Sequence, residues 1–431
     1  MNTDQIAGLK SKHEQVLELI NQLANLLRDL GVTHITSEDE SLNGRTIINK
    51  GRELINFSSC SYLGLEQDPR LKKAVIDAVY KFGTQFSSSR AYVSAPLYEE
   101  AEHYLGKIFG KPVILTSSVT SGHISNIPVL VGDNDVVILD SQVHDSVQTA
   151  TQLLKARNVA VEMIRHNRMD MLEERIKKLQ AKHDKIWYLA DGVYSMYGDL
   201  APVKELVALA NKYDQLHLYI DDAHGMSWTG GNGSGYILSQ VPFHHKLYLA
   251  TSTNKAFAAA GGVLVFPDER SHRLVRNCGK TLIFSGPIQP PMLGAVVESA
   301  KLHLSKEIYD FQDDLQKKIS FFNHTAKIYN LPLINESHSP INFIGVGKPE
   351  TGYNMVKRLM NLGYFVNLSV FPSVSYNNTG LRIPITRHHT FEDIDNVLKT
   401  ISEQLPVALK ESGSSMPEVL KAFKISLKVE K

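Results

Sequence analysis

The chain of 431 residues carries 46 lysines and arginines against 45 aspartates and glutamates, so its formal net charge at pH 7 is +1. This balance gives no strong field of the kind that draws a protein to nucleic acid or to a membrane surface. A chain of this length is expected to form more than one hydrophobic core, most simply a large domain and a smaller one.

Targeting features and cysteine content favour the cytoplasm. No apolar run is long enough to span a bilayer. Residues 1–5 are polar and acidic, unlike a secretory signal. The two cysteines, Cys60 and Cys278, fit neither a disulfide framework nor a metal-ligand spacing. We therefore expect a cytoplasmic protein with reduced thiols and no metal site.

Residues 1–55 are predicted to form an appended helical segment. Apolar residues recur at helical spacing between positions 16 and 30, and Gly31 follows as a stop signal. We expect this helix to pack against a core or against a second copy of the chain. A strand, a buried apolar turn and two helices are then predicted at residues 53–57, 58–65, 69–82 and 97–109.

From Val113 onward, strand-like and helix-like patterns alternate. The apolar runs that predict strands cover residues 113–116, 136–139, 159–164, 186–190, 216–220, 247–249 and 263–266. Helical patterns such as residues 171–182 and 203–213 separate most of them. This alternation predicts an α/β fold whose mostly parallel, seven-stranded sheet is covered on both faces. We assign residues 56–290 to this large domain.

Residues 291–410 are predicted to form a smaller α+β domain. It would begin with a long helix that follows Pro290-Pro291 and runs to about Ser305, and end with another over about residues 391–404, with strands between them. The tail, residues 411–431, contains lysines among apolar residues and predicts a surface helix, with membrane contact as the alternative.

Polar and reactive side chains follow five of the predicted strands. These segments are residues 117–123, 140–145, 191–199 and 221–225, together with Lys255. A sheet with a purely structural role would not need such groups at its strand ends. Because ligands bind at the carboxyl ends of the strands in sheets of this type, we expect the five segments to line one site.

Two of these segments are ambiguous when considered alone. A lysine amine attacks carbonyl groups once it has lost its proton, which burial promotes. Lys255 by itself equally fits a solvated lysine at a strand end. The small residues of segment 117–123 would leave free amides at the start of a helix, which suit a phosphate, or would form an ordinary serine cap.

Together, however, the groups fit an aldehyde cofactor with a phosphate tail and a basic ring nitrogen. A lysine holds the aldehyde as a Schiff base, and a carboxylate keeps the ring nitrogen protonated so that the ring withdraws electrons. An imidazole covers the ring, and a helix amino terminus takes the phosphate. Lys255, Asp221, His144 and residues 121–123 fill these four roles, which predicts pyridoxal 5'-phosphate as the cofactor.

Five phrases then make the sequence recognisable: Tyr62-Leu-Gly-Leu65, Asp191-Gly-Val-Tyr-Ser-Met196, Asp221-Asp-Ala-His-Gly225, Leu282-Ile-Phe-Ser285 and Thr390-Phe-Glu-Asp-Ile-Asp395. On these phrases the chain resembles the α-oxoamine synthase family of pyridoxal-phosphate enzymes, from Asn56 to about Leu405. The family includes 8-amino-7-oxononanoate synthase, 2-amino-3-ketobutyrate CoA ligase, serine palmitoyltransferase and 5-aminolevulinate synthase. The resemblance implies a fold-type-I transferase with a large domain and a smaller α+β carboxyl-terminal domain.

The resemblance also implies an acyltransferase reaction. An α-amino acid would condense with an acyl thioester, carried on CoA or on an acyl carrier protein. The products would be an α-aminoketone, carbon dioxide and a free thiol.

Cofactor-binding and catalytic roles follow from the same resemblance. Lys255 corresponds to the lysine that forms the Schiff base and later removes the α-proton, and Asp221 to the aspartate on the pyridine nitrogen. His144 corresponds to the histidine that stacks on the ring. His224 and Ser195 correspond to residues that bind the ring phenolate oxygen.

Further roles concern the phosphate and the substrate. Gly122 and His123 fall where a glycine and an aromatic residue usually bracket the cofactor, and Ser252 falls where a threonine usually binds phosphate. Arg382 corresponds to the arginine that takes the amino acid carboxylate, the alternative being a salt-bridged surface arginine. Cys60 stands where the family commonly has an asparagine near the reacting atoms. We interpret Cys60 as a small pocket-lining residue, the alternative being a covalent nucleophile.

The resemblance implies a homodimer with shared active sites, because Ser285-Gly286 resembles the segment that reaches the partner subunit's phosphate. No nucleic acid partner is expected. Two other functions stay open. One is another fold-type-I enzyme, an aminotransferase or a decarboxylase, which would need no acyl thioester. The other is a non-catalytic partner subunit, which would be expected to lack Lys255.

Overall fold

The computed structural model describes residues 11–425. Within this range the chain forms fifteen α-helices: α1 Lys12–Asp29, α2 Pro69–Phe82, α3 Pro96–Phe109, α4 Val119–Leu130, α5 Asp145–Lys155, α6 Met169–Leu179, α7 Val203–Lys212, α8 Tyr236–Gln240, α9 Glu269–Cys278, α10 Lys280–Ile283, α11 Pro290–His303, α12 Glu307–Ile328, α13 Pro349–Asn361, α14 Phe391–Glu411 and α15 Met416–Phe423.

The same range contains twelve β-strands: β1 Thr46–Asn49, β2 Arg52–Phe57, β3 Val113–Thr116, β4 Val136–Asp140, β5 Ala160–Ile164, β6 Ile186–Asp191, β7 Leu216–Asp221, β8 Leu247–Ser252, β9 Gly262–Val265, β10 Ile341–Gly347, β11 Tyr364–Ser369 and β12 Thr379–Pro384.

The large sheet has seven strands in the order β3-β9-β8-β7-β6-β4-β5. Strands β4 to β8 run parallel to one another, and β9 is antiparallel to both of its neighbours, β3 and β8. Its inner strands are largely apolar along their whole length because helices cover both faces. The predicted α/β class and the seven predicted strands are confirmed.

A second, mixed sheet has five strands in the order β1-β2-β11-β12-β10. Strands β2 and β11 are parallel, with Ile55 opposite Tyr364, and the other pairs are antiparallel. Helix α13 packs on this sheet and against α14, α14 packs against α12, and the three helices enclose the second hydrophobic core with the sheet. The smaller α+β unit is therefore present, but it also includes β1 and β2 from the beginning of the chain.

The amino-terminal boundary consequently differs from the prediction. Within the predicted helical segment 1–55, residues 12–29 are helical, whereas β1 and β2 form a hairpin of the small sheet. Lys50 and Gly51 make its two-residue turn, both with positive φ, which is the geometry that twisted hairpins require. The boundary placed at residue 56 falls inside β2. Residues 1–10, including the polar start, lie outside the described range.

The boundary at residue 290 differs as well. Helix α11, placed at the start of the small domain, packs against α2 and α3, and its Leu293 and Val296 belong to the core under the large sheet. At Gly294 the α2 backbone comes so near that a Cβ would lie 2.5 Å from the Ala74 carbonyl oxygen. The helix is buried around most of its circumference, so it joins the larger core.

The predicted tail helix corresponds to α15, although α14 first continues to Glu411. Val419 is fully buried, and the Phe423 ring packs 6.0 Å from that of Phe343 in β10. The tail thus docks on the small sheet, and residues 426–431 lie outside the described range. Among residues 11–425, no helix has the length and apolar character needed to cross a membrane.

Candidate active site

A cavity of about 210 Å³ opens at the carboxyl ends of β6, β7 and β8. It is lined by Ser118, Val119, Thr120, His144, Ser146, Asp191, Val193, Asp221, Ala223, His224, Ser252, Asn254 and Lys255. Five predicted residues from the ends of three strands are thus brought together: His144 after β4, Asp221 and His224 at β7, and Ser252 and Lys255 at β8. The position agrees with the rule that parallel sheets bind ligands outside these strand ends.

Two buried carboxyl groups lie side by side at this edge of the sheet. Asp191 ends β6 directly opposite Asp221, which ends β7. Burial works to raise the pKa of Asp221, but the hydrogen bond from His123 and the charges of His123 and Lys255 hold it below its usual value. Burial and the charge of Asp221 raise the pKa of Asp191 well above its usual value. The pair therefore shares one negative charge, which resides on Asp221.

His123 lies behind Asp221 and outside the lining of the cavity. Its side chain has no solvent-exposed surface, its Nε2 is 2.9 Å from Asp221 Oδ2, and its Nδ1 is 2.7 Å from the Tyr219 hydroxyl. The second oxygen of Asp221, Oδ1, accepts the Ala223 backbone N–H at 2.9 Å. Both oxygens of the carboxylate are thus fixed by the protein.

Lys255 supplies the only amine among the residues that line the cavity. Burial lowers its pKa, while Asp221 and Cys60 act in the opposite direction through their charges. A buried lysine with a lowered pKa has more of its amine in the neutral, nucleophilic form than a surface lysine has. This environment is unlike that of a solvated lysine at a strand end.

His144 caps the amino end of α5 and borders the cavity. Its Nδ1 accepts a hydrogen bond from the Ser146 backbone N–H at 3.2 Å and lies 2.7 Å from the Ser146 hydroxyl. Its own backbone N–H donates to Asp191 at 3.1 Å. Burial lowers the pKa of the ring. The neutral ring therefore carries its proton on Nε2.

His224 is held from two sides by buried aromatic residues. Its Nδ1 lies 2.8 Å from the Tyr62 hydroxyl, and its carbonyl accepts the Trp228 indole N–H at 2.6 Å. Burial, and next the charge of Lys255, lower the pKa of His224 well below its usual value, so the ring is neutral. Tyr62 links this histidine to the small-sheet side of the cavity. Burial, and next the charge of Cys60, raise the pKa of the Tyr62 hydroxyl, while the charge of Arg382 lowers it.

The first turn of α4 forms another part of the wall. Ser118 caps the helix by accepting the Ser121 backbone N–H, and Val119 and Thr120 follow in the first turn. First-turn amides have no partner within a helix, and the helix dipole favours an anion there. The predicted pair Gly122 and His123 lies later in the same helix and does not line the cavity.

Asp222, the neighbour of Asp221, explains three glycines, of which Gly192 and Gly225 belong to the recognisable phrases. A Cβ on Gly192, Gly225 or Gly235 would lie 2.3, 2.1 or 2.4 Å from its carboxyl oxygens. Burial raises the pKa of Asp222 to about 8. The glycines are required because three backbone segments close around this side chain.

Arg382, Cys60 and Ser195 lie together beside the cavity, outside its lining. The Arg382 Nε donates to the Ser195 carbonyl at 2.7 Å, and its Nη2 lies 3.6 Å from the Cys60 sulfur. Arg382 is buried in β12 and is not part of a surface salt bridge. Burial works to raise the pKa of Cys60, but the charge and hydrogen bond of Arg382 bring it below its usual value.

Sequence reasoning missed several residues of the site. Asp191 stands at a predicted strand end without a predicted role, although the acidic end of β6 next to the acidic end of β7 indicates one. Ser118 to Thr120 lie three residues before the predicted phosphate segment, residues 121–123. Tyr62 appears in the sequence prediction only within a recognisable phrase. Its contact with His224 joins residues that are far apart in the sequence.

Comparison with known protein families gives one match over most of the chain. Residues 52–401 match the family described as aminotransferase class I and II. Among curated proteins, the chain is 30% identical over 392 residues to 8-amino-7-oxononanoate synthase from Thermoanaerobacter pseudethanolicus, covering 90% of this chain and 96% of that protein. It is 28% identical over 392 residues to serine palmitoyltransferase from Bacteriovorax stolpii, covering 89% of this chain and 90% of that protein.

Solved structures give the same grouping. A lysine-to-alanine variant of serine palmitoyltransferase from S. paucimobilis, solved with a bound aldimine of pyridoxal phosphate and myriocin, is 25% identical, with a TM-score of 0.84 over 94% of this chain and 100% of that chain. The fold also matches that of 8-amino-7-oxononanoate synthase from Francisella tularensis, at 22% identity and a TM-score of 0.70 over 82% of this chain and 98% of that chain.

Proposed function

This chain belongs to the class I and II aminotransferase family and, within it, to the α-oxoamine synthases, which are pyridoxal-phosphate-dependent acyltransferases; we propose that it condenses an α-amino acid with an acyl thioester. Carbon dioxide and a free thiol would be released, and the product would be an α-aminoketone. One observation carries the proposal. Lys255, Asp221, His144 and His224 line a single cavity in a chain of this family.

The cavity has the groups that pyridoxal phosphate requires. An amine suited to an aldehyde is provided by Lys255, and a carboxylate suited to a protonated ring nitrogen is provided by Asp221. The first turn of α4, with Val119 and Thr120, suits the phosphate, and Ser252 lies on the same wall. His144 would cover the ring, and His224 would bind the phenolate oxygen, a role we also propose for Ser195. These donors fit the cofactor.

When bound, pyridoxal phosphate supplies an electron-withdrawing ring that stabilises negative charge at the α-carbon of the amino acid. Asp221 holds the compensating negative charge. Lys255 would accept the α-proton at Nζ, because its lowered pKa leaves the amine free to do so. His144 would hold a proton at Nε2 and deliver it when the thioester has been attacked.

We propose that Arg382 binds the carboxylate of the amino acid. Its Nε is already fixed by the Ser195 carbonyl, whereas its Nη2 faces a thiol at 3.6 Å, a distance typical of a weak interaction. A carboxylate is a better partner for a guanidinium than a thiol is. Cys60 would then line the amino acid pocket without reacting.

We also propose a homodimer in the cytoplasm. Tyr80, Tyr92 and Phe284 are 87%, 87% and 84% exposed, an unusual state for large aromatic side chains that a partner subunit would cover. Phe284 directly precedes Ser285-Gly286, the segment expected to reach the partner's phosphate. Both cysteines are unpaired, as a reducing compartment requires. The acyl donor would be CoA-bound or bound to a carrier protein.

The visible absorption of the purified protein with pyridoxal phosphate tests the function. Single amino acids and then a panel of acyl-CoA thioesters are added, and the products are identified by mass spectrometry. The proposal expects an α-aminoketone, one carbon dioxide and one thiol per turnover, and no product from Lys255→Ala. A keto acid formed from the amino acid alone would identify an aminotransferase. Failure to take up the cofactor would favour the non-catalytic subunit.

A further inference from the structure

The hydrogen bonds behind Asp221 form a buried chain of three side chains. Tyr219 and Asp221 lie two residues apart in β7, so both side chains project from the same face of the sheet. Helix α4 covers that face, and His123 from this helix contacts both of them, at 2.7 Å and 2.9 Å. All three side chains are buried.

The chemistry of the three groups fixes where the protons are. The Asp221 carboxylate can only accept, so His123 Nε2 carries a proton and donates it. Burial raises the pKa of Tyr219, which keeps its hydroxyl protonated. The other ring nitrogen, Nδ1, is held by the Tyr219 hydroxyl at 2.7 Å. His123 is thus hydrogen-bonded at both ring nitrogens, which fixes the orientation of the N–H that it donates to Asp221.

We propose that His123, held by Tyr219, is a positioning residue that keeps Asp221 ionised and correctly oriented as the partner of the cofactor's ring nitrogen. This inference rests on the proposed function, because it presumes that pyridoxal phosphate occupies the cavity. It replaces the role first expected for His123, since a residue behind Asp221 does not bracket the cofactor.

The competing carboxyl group shows why such a residue is needed. Asp191 and Asp221 are opposite each other, and only one of the pair keeps its charge. Asp191 accepts a backbone N–H from His144 at 3.1 Å, whereas Asp221 accepts one from Ala223 and a second hydrogen bond from His123. His123 is the group that distinguishes them, so it directs the negative charge to Asp221.

Helix α4 also links this pair to the other end of the cofactor site. Its first turn contributes Val119 and Thr120 to the cavity, and His123 follows one turn later. A single rigid helix thus sets the spacing between the phosphate end and the carboxylate that serves the ring nitrogen. Loss of the His123 hydrogen bond is therefore expected to weaken cofactor binding as well as nitrogen protonation.

The test loads the protein with pyridoxal phosphate labelled with ¹⁵N in its ring and measures the nitrogen chemical shift, which reports protonation. The affinity of the apoprotein for the cofactor is measured in parallel. His123→Leu is expected to move the shift toward the unprotonated value and to weaken binding about tenfold to a hundredfold, the range for a hydrogen bond to a charged group. His123→Gln, which can place an N–H near the Nε2 position, is expected to restore both quantities substantially.

Two further variants keep the test decisive. Tyr219→Phe leaves His123 in place but removes its hydrogen-bond partner at Nδ1, so the ring-nitrogen shift should move in the same direction by a smaller amount. If His123→Leu does not fold, an unchanged shift in Tyr219→Phe overturns the proposal. His389→Gln is the matched control, because His389 is also buried and hydrogen-bonded, to the Asn56 carbonyl at 3.1 Å. It should leave both quantities unchanged.

Failure of this inference is distinguishable from failure of the proposed function. A wild-type protein that binds no pyridoxal phosphate would contradict the function itself. A wild type that binds it, with a folded His123→Leu variant that has the same nitrogen shift and the same affinity, would contradict only the role of His123.

Discussion

The two sheets present side chains to the cavity in different ways. On the large-sheet side, Asp221, His144 and His224 are each hydrogen-bonded to another polar side chain before any ligand binds. On the small-sheet side, the Arg382 Nε is fixed by the Ser195 carbonyl, and its side-chain partners are the Cys60 sulfur, 3.6 Å from Nη2, and the Tyr62 hydroxyl. The large-sheet groups are each oriented by a strong side-chain partner, whereas Arg382 has a weak acceptor at Nη2.

This difference suggests how the work of the site is divided. Side chains that hold one another by hydrogen bonds are costly to rearrange, so they suit a ligand that never changes, such as the cofactor. A guanidinium whose neighbour is a weak acceptor can exchange that neighbour for a carboxylate. We therefore expect changes on the large-sheet side to affect cofactor use, and changes on the small-sheet side to affect substrate choice.

The largest effect is expected for Lys255→Ala, on the large-sheet side. The variant loses the amine that carries the aldehyde and accepts the α-proton. We expect kcat to fall by about 10³-fold or more, at the upper end of what one general base contributes. Steady-state kinetics measures the loss, and circular dichroism checks the fold. A folded variant with more than a tenth of the wild-type kcat would contradict the assignment of Lys255.

The next effect is expected for Arg382→Ala, on the small-sheet side. Loss of a charge-assisted bond to the substrate carboxylate should raise KM for the amino acid about 10- to 100-fold. The KM for the thioester and the affinity for pyridoxal phosphate should change little. Arg387→Ala is a suitable control, because Arg387 is a partly exposed arginine that pairs with Asp314. If the cofactor affinity fell as much as the substrate affinity, the division between the two sides would be wrong.

A smaller effect, on stability, is expected for His166→Gln on the large-sheet side. His166 lies between Asp140 and Asp199, at 2.9 Å and 2.5 Å. Burial opposes its charge, but the two carboxylates raise its pKa to about 9. Because the folded pKa is raised, the ion pairs stabilise fully below the unfolded value of about 6.5, and this contribution is lost as the pH rises through about 9.

After allowance for solvent screening, His166→Gln should cost about 1–2 kcal/mol near pH 6. The thermal midpoints of wild type and variant should converge as the pH approaches 10. A difference that is the same at pH 6 and pH 10 would show that the histidine packs without contributing charge.

The smallest effect is expected for Cys60→Ser. The substitution keeps a small side chain beside Arg382 but replaces the thiol with a better hydrogen-bond acceptor. We expect KM for the amino acid to change by less than about tenfold, with unchanged affinity for pyridoxal phosphate. Cys278→Ser, at the exposed second cysteine, serves as the control. A complete loss of turnover in Cys60→Ser would instead identify Cys60 as a nucleophile.

Local patterns were sufficient to predict the large sheet and much of the site. Buried parallel strands are continuous apolar runs, and the rule for strand ends then selects Asp221 and Lys255 without any knowledge of the fold. Helix α4 shows the limit of this reasoning. Residues 117–122 are all small or β-branched, so no apolar period marks where the helix begins, and the cavity-lining turn was placed three residues late.

The small sheet shows a second limit. The β1–β2 hairpin has a readable turn at Lys50-Gly51, but β2 pairs with β11, far along the chain. A short stretch of sequence does not indicate which distant strand will pair with it. The same holds for His224 and Tyr62, whose hydrogen bond depends on how the two cores meet.

The pairing of β2 with β11 also has a consequence for biosynthesis. Ribosomes deliver the chain from its amino terminus, so the strand that includes Ile55 emerges long before Tyr364, its neighbour in the sheet. All seven strands of the large sheet lie between Val113 and Val265 and can assemble in the meantime. Until β11 is made, β2 of the nascent hairpin has an unpaired edge, a state that favours aggregation. Newly made chains are therefore expected to depend on chaperones until the second sheet closes.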